Sequence, residues 1–309
     1  MGAATATTDR GRAPRARSRL GGHLTGWAFS SPFVALFAVF MAIPIVASFV
    51  LSFTSFNIGN IQSWTSAEFV GLENYTKAFG DERFLKSLRN TAYFVVVGVP
   101  GTIVCAIAVA VALNRVVGRM KTVFRVGYYL PVVTSIVAIA VIWRYLLAPD
   151  VGLANSLLEQ FGITGPNWLG DTKTAMPSVI ALGIWRNVGF SMVIFLAALQ
   201  TIDPALYDAA KVDGASGWSL FRYITLPLLR PATLFVAVIT SIGYLQVFEE
   251  PFVMTNGGPV DSTLTTSMLI YEQGFRFFNL GYASAIAYVL FVIIAVLAVL
   301  QFRFLRPQS

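Results

Sequence analysis

Tyr207-Asp208-Ala209-Ala210-Lys211-Val212-Asp213-Gly214-Ala215, followed by Ile224-Thr225-Leu226-Pro227, is a polar, helix-forming insert between two apolar runs. Asp203-Pro204 supplies a helix start, because Asp accepts orphan amide N–H bonds and Pro is pre-shaped for a first turn. The pattern predicts a helix over 204–212, rich in Ala, Leu and Lys. Gly214 then permits a left-handed or closely packed backbone where that helix must turn. Ser216 is placed to cap a second short helix running through Trp218 and Phe221, and Pro227 and Pro231 end the insert and begin the next apolar run. A helix–turn–helix lying on a membrane face is expected.

The chain around this insert has 309 residues, 56% hydrophobic and only 12% charged, with mean hydropathy +0.70. Soluble domains carry about 25% charged residues, so the composition points to a polytopic, all-α integral membrane protein. A spanning helix needs about 20 mainly apolar residues. Six windows qualify, at 27–53, 91–113, 126–147, 178–200, 232–248 and 282–302, the fifth short and with room to extend toward Pro251. Before the first window stand Arg10, Arg12, Arg15, Arg17 and Arg19 against Asp9. The apolar run that follows is longer than the ~7–15 residues of a signal-peptide core and lacks a small-residue cleavage site. It reads as an uncleaved first span behind a disordered basic tail. The lone Cys105 lies in an apolar run, where it is a small lipid- or core-facing residue with no partner for a disulfide.

Loop charges set the orientation. The N-terminal arginines share one side with Arg115, Arg119, Lys121, Arg125, Lys211, Arg222, Arg230, Arg303 and Arg306, about 14 in all. The other side holds Lys77, Arg83, Lys86, Arg89, Arg144, Lys173 and Arg276, about 7, and most of the acids, Glu249 and Glu250 among them. The basic side is therefore expected to be cytoplasmic, with both termini and the 201–231 insert. The net charge of +7 then needs no nucleic acid, since anionic inner-leaflet lipids attract each such residue by about 1 kcal/mol. No G-x-x-x-x-G-K-[ST] phosphate loop occurs. His23 is the sole histidine, which leaves no metal cluster and no nucleophile–base pair. The chain is expected to be non-catalytic, and its energy must come from a partner.

The insert resembles the loop by which membrane subunits of bacterial ABC importers grip their ATPase: Glu-Ala-Ala, three residues, Gly, nine residues, Ile-x-Leu-Pro. Asp208 stands where Glu is usual, followed by Ala209, Ala210, Gly214, Ile224, Leu226 and Pro227 at the expected spacing. Three further stretches are similar to the first of the paired carbohydrate-uptake permeases of the maltose, trehalose, lactose and glycerol-3-phosphate type. They are Phe69-Val70-Gly71-Leu72-Glu73-Asn74-Tyr75 with Phe84 and Arg89-Asn90-Thr91, Tyr129-Leu130-Pro131 with Trp143-Arg144, and Met254-Thr255-Asn256-Gly257-Gly258-Pro259. The resemblance runs from about Trp27 to Arg306. It implies a type I importer permease fold with six transmembrane helices and a cytoplasmic coupling helix, in a bacterial cell membrane. The division it implies is a tail at 1–26, a first helix and outer loop at 27–87, a transport domain at 88–301 and a second tail at 302–309. Implied partners are a second homologous permease, an ATPase dimer that binds ATP and Mg, an extracytoplasmic sugar-binding protein and membrane lipid. Gly257-Gly258-Pro259 would then be a loop that probes the binding protein, where otherwise it is a plain outer turn.

Polar groups at mid-membrane depth are costly and suggest a cavity. Gly183, Arg186, Asn187 and Phe190 share one helical face, as do Thr240, Gly243, Tyr244 and Val247. An aromatic face beside amides and hydroxyls suits a sugar, and these stripes match positions from which the maltose-type permease contacts its substrate. Arg186 lies ~12 Å into its span. It can snorkel, pair with Glu249 or Glu250, or face the cavity. The nearby glutamates oppose an anion, which favours a neutral sugar over glycerol-3-phosphate or a glycerophosphodiester. A stand-alone secondary transporter is the reading of a different class. It predicts inverted repeats, and none is evident.

Overall fold

The computed structural model describes residues 2, 19–60, 67–116 and 118–305; Arg10, Arg12, Arg15, Arg17 and Arg306 lie outside them. The chain divides into two units, Met1–Val50 and Leu51–Ser309.

In the first unit, helix α1 spans Arg19–Phe37, so helix begins inside the segment expected as tail. A π turn over Ala38–Ala42 joins it to α2, Ile43–Leu51. Pro44 stands two residues beyond that turn. Proline has no N–H and its ring crowds the carbonyl four residues back, and a widened turn accommodates both.

The second unit begins with α3, Glu73–Gly80, and α4, Glu82–Arg115. Asp81 caps α4, accepting from the Arg83 amide at 2.8 Å. Then come α5, Arg119–Val133; α6, Ile136–Leu146; α7, Leu153–Glu159; and α8, Ala175–Gln200. The insert supplies α9, Pro204–Val212; α10, Gly217–Leu220; a π turn, Phe221–Thr225; and α11, Leu226–Leu228. Last are α12, Arg230–Leu245; α13, Glu249–Thr255; α14, Thr266–Tyr271; and α15, Leu280–Leu305. Among the described residues the only extended pairing is one isolated bridge, Thr54 with Phe69.

Among the described residues four helices are long and apolar enough to cross a membrane unbroken: Phe29–Leu51, Glu82–Arg115, Ala175–Gln200 and Leu280–Arg303. Two further pairs qualify only as bent spans, α5 with α6 at 99° and Gly217–Leu228 with α12 at 63°. The third window, expected as one span, is therefore a bent helix pair rather than a continuous helix. Pro131 cannot donate to the carbonyl four residues back, Thr134 Oγ1 takes the Leu130 carbonyl at 2.8 Å, and Thr134 and Ser135 turn extended at ψ 149° and 122°. Nor does the fifth window run on toward Pro251. Helix α12 stops at Leu245, and α13 restarts at Glu249 with Pro251 in its first turn.

The core lies where α4 packs on α8, with α12 against both. One apolar cluster joins Phe94, Val179, Ile180, Leu182 and Tyr244. A second joins Ala106 to Leu113 of α4 with Met192 to Leu199 of α8. Helix α5 crosses α8 at Gly189, where a Cβ would strike the Tyr128 carbonyl. Arg115 and Leu199 thus lie at the insert end of the bundle, and Lys86 and Met176 at the far end.

At the far end, Arg83 grips Asp261 through Nε (2.9 Å) and Nη2 (3.1 Å) and reaches Glu272 through Nη1 (3.1 Å). Asn90 Nδ2 donates to the Asp261 and Leu264 carbonyls, and Lys86 Nζ to that of Val260. The loop between α13 and α14 is thereby stapled to α4. Arg83 holds the Asp261 carboxyl below its usual range. A depressed carboxylate contributes stability above its unfolded pKa, so this staple is present at neutral pH and is lost as pH falls below that range.

Candidate functional site

Helix α9 is closed at both ends. The Asp203 carboxylate accepts from the Ala205 amide at 2.9 Å, with Pro204 in the first turn. At the other end the Gly214 amide donates to the Lys211 carbonyl at 3.0 Å and the Ala215 amide to the Ala210 carbonyl at 2.9 Å. This bond pair is a Schellman motif, and Gly214 takes the left-handed φ of +78° it needs. Ser216 Oγ then caps α10, accepting from the Ser219 amide at 3.3 Å. The helix–turn–helix is present, but α10 stops at Leu220 and widens into the π turn ahead of Pro227. As at Pro44, the wider turn accommodates the ring and the missing N–H.

A contact that spacing did not disclose fixes the two arms. The Tyr207 and Thr225 hydroxyls lie 3.0 Å apart, with Thr225 buried. Leu226 and Phe221 pack on the second apolar cluster, so the Ile224-x-Leu226-Pro227 end anchors the insert to α4 and α8. Asp208 and Ala209 are exposed and Ala210 half-buried. The Asp208 carboxylate sits 3.0 Å from Lys211 Nζ, one turn on. Such an exposed pair contributes at most about 1 kcal/mol, so another cation can displace Lys211. Val212 (88% exposed), Trp218 and Tyr223 leave large apolar area uncovered. Between the insert and Asn114-Arg115 of α4 lies a cleft of about 400 Å³, lined also by Tyr207, Asp208 and Lys211. The chemistry offered is a rigid helix edge with apolar area and one exchangeable carboxylate.

The mid-span stripes meet at two aromatic rings. Tyr244, 4% exposed, places its hydroxyl 2.8 Å from Thr102 Oγ1 and its ring edge-on to Phe94, centroids 4.9 Å apart. A Cβ on Gly98 would come within 2.7 Å of Tyr244 Cε2, and one on Gly183 within 2.9 Å of Phe94 Cζ. Both glycines make room for rings. Thr240 and Val247 are also buried, whereas Gly243 faces open space and Phe190 is exposed. Asn187 Nδ2 donates to the Gly183 carbonyl at 2.9 Å, which uses one amide donor inside its own helix. Tyr244→Phe removes one hydrogen bond, ~0.5–1.5 kcal/mol, while Tyr244→Ala empties a core ring site, ~3–5 kcal/mol. In detergent, thermal unfolding should shift little for the first and by many degrees for the second.

Arg186 takes the paired option. Its Nη1 lies 3.6 Å from Glu250 Oε1, an ion pair longer than a hydrogen bond. The Glu250 side chain is only 6% exposed, because α13 packs against α6 and α8. An acid grouped with the outer loops is thus a buried counter-ion, while Glu249 beside it is exposed. Arg186 Nε is buried with no hydrogen-bond partner among the described residues. Gly257, at φ +84° and buried, sets a tight turn against Met268, with Gly258 and Pro259 half-buried behind it.

A family model described as "binding-protein-dependent transport system inner membrane component" matches residues 98–307. The lactose transport system permease protein LacF of Rhizobium radiobacter is 38% identical over 291 residues, covering 93% of this chain and 95% of that protein. The arabinooligosaccharides transport system permease protein AraP of Bacillus subtilis is 33% identical, covering 90% and 87%. A chain of a bacterial alginate ABC transporter, crystallised with alginate pentasaccharide-bound periplasmic protein, superposes at TM-score 0.80 and 24% identity. That match covers 94% of this chain and 97% of that one.

Proposed function

Because the chain belongs to the family of binding-protein-dependent transport system inner membrane components, we infer that it is one permease subunit of an ATP-driven sugar importer, forming half of the translocation path. The observation that carries this reading is the insert: a capped, cross-braced helix with exposed apolar area, on a chain with no phosphate loop of its own. A second permease, an ATPase dimer and an extracytoplasmic binding protein complete the machine. The chain itself catalyses nothing. The charge asymmetry puts both termini and the insert on the cytoplasmic side, where an ATPase is.

Closure of the ATPase pulls on α9. The Tyr207–Thr225 contact keeps α9 and the return arm moving together. Leu226 and Phe221 pass that motion to α4 and α8 through the apolar cluster beneath them. The path opens outward, takes sugar from the binding protein, and releases it inward after hydrolysis. Asn187, Phe190 and Gly243 line this chain's side of the path, the exposed Phe190 and Gly243 looking toward the second permease, while Gly183 and Tyr244 lie in the core behind them. The sugars in the names of the two relatives support a sugar substrate. Glu250 offsets Arg186, so no free cation is left there for a phosphate.

Uptake by the reconstituted importer tests this. Labelled sugar should enter with ATP and binding protein, and entry should stop with vanadate and persist with a protonophore. Uptake that survives loss of ATP and collapses with the protonophore would make the chain a secondary transporter. Preferential uptake of glycerol-3-phosphate would overturn the sugar assignment alone.

A further inference from the structure

At the far end of the bundle, a cleft of about 520 Å³ is lined, among the described residues, by three cations, Lys86, Arg89 and Lys173, and by no carboxylate. Lys86 and Arg89 lie one turn apart on α4, while Lys173 comes from the turn before α8. Nearby acids are already engaged. Asp261 is held by Arg83, and Asp171 caps its own turn by accepting from the Lys173 backbone amide at 2.8 Å. Among the described residues neither Arg89 nor Lys173 has an ion-pair partner, and both are exposed.

The cleft is built rather than incidental. Asn90 spends both amide protons holding its rim, and Lys86 bonds the Val260 carbonyl. Ser262, on the same rim, has a buried hydroxyl oxygen with no hydrogen-bond partner among the described residues. Three like charges held together in one cleft repel one another, and an anion relieves that cost.

We propose that this cleft docks carboxylate side chains of the soluble sugar-binding protein, so that Arg89 and Lys173 guide that protein onto the permease. The proposal rests on the importer reading above and names the chemistry of one of its interfaces. Two observations favour a protein carboxylate over an anionic cargo. Along α8 the excess positive charge ends at the mouth, since the next cation in the chain after Lys173, Arg186 of that helix, is offset by Glu250. The rim residues Val260 and Ser262 also continue the Gly257-Gly258-Pro259 turn, and Val260 is 79% exposed, so the rim is within reach of a soluble partner. Exposed complementary charge of this kind speeds encounter and confers salt dependence.

The test uses the full chain in neutral phosphatidylcholine nanodiscs and a fluorescent hexaglutamate peptide, with hexaglutamine as control. Hexaglutamate should bind about tenfold tighter at about 50 mM salt and lose that advantage near 500 mM. Arg89→Glu with Lys173→Glu should abolish the preference. Among the described residues neither side chain makes an internal bond, so the fold is kept, and an unchanged melting temperature checks this. Equal binding of the two peptides, or an unchanged preference in the double variant, would overturn the proposal. Displacement by micromolar D-glucuronate would make the cleft a small-anion site and overturn it too. Loss of the low-salt preference when a minor fraction of phosphatidylglycerol is added to the nanodiscs would assign the cleft to a lipid headgroup and likewise overturn the proposal. Peptide binding needs no ATPase and no sugar, so its failure is separate from failure of the uptake test.

Discussion

Gly214→Pro is expected to leave the chain in the membrane and reduce sugar uptake by about two orders of magnitude. Gly214 sits at φ +78° and its amide donates to the Lys211 carbonyl. Proline fixes φ near −65° and has no amide hydrogen, a combination that costs ~3 kcal/mol or more. The Ala215–Ala210 bond depends on the same turn, so the end of α9, with Val212, swings away from the position a partner groove would read. Each 1.4 kcal/mol is tenfold, so the correctly shaped insert becomes about 100-fold rarer. No atom lies within 4 Å of a Cβ built at 214, and the residue is exposed, so membrane packing is untouched. Gly214→Ala therefore meets only the left-handed penalty, ~1–2 kcal/mol, and should cost roughly tenfold or less. Initial uptake rates, normalised to membrane level by immunoblot, measure both. Wild-type rates for the proline variant would make the insert a passive surface helix.

Glu250→Ala should be the more damaging of the two single changes to the Arg186–Glu250 pair. Removing one partner of a buried ion pair typically costs ~3–5 kcal/mol because the other charge is left uncompensated. Arg186 is 30% exposed and regains some water, which discounts this to about 2 kcal/mol. Arg186→Gln should cost less, since a lone buried carboxyl can take up a proton. The paired change Arg186→Gln with Glu250→Gln should recover most of the lost stability, because neither side chain then carries an unmatched charge. Melting temperatures of the four proteins in detergent give the cycle. Additive losses would mean that the 3.6 Å approach carries no coupling. Uptake of a neutral sugar should survive the double change.

The insert was legible because its signals are local. Asp203-Pro204, Gly214 and Ser216 each act within a turn of their own position, and all three take the capping or turning role the sequence assigns. The Tyr207–Thr225 contact was not legible, because eighteen residues separate its hydroxyls and only the fold closes that distance. The membrane windows came from hydropathy, which sees composition and not direction. It found the apolar run at 126–147 but not its 99° bend, although Pro131 and the Thr134-Ser135 pair that produce the bend stand in plain view. The Tyr244 stripe shows a further limit. Helical periodicity places Thr240, Gly243, Tyr244 and Val247 on one face, but it cannot tell that Phe94 and Thr102 of α4 enclose the tyrosine. Glu250 was named with Glu249 as a partner for Arg186, and the sequence could not choose between the two for a related reason. Charge marks a residue as polar, and only the return of α13 against α6 and α8 makes it a buried counter-ion for Arg186.

The central claim is that α9 is the part an ATPase holds, and cross-linking from its exposed face tests it most directly. A photoreactive benzoylphenylalanine at Ala209, exposed on the same turn as Asp208, would be irradiated in membranes of cells making the whole importer. One major adduct is expected, between this chain and a phosphate-loop ATPase, absent when the probe is moved to the exposed Val141 position of α6. An Ala209 probe that captures no ATPase, while the same cells take up sugar at the normal rate, would contradict it.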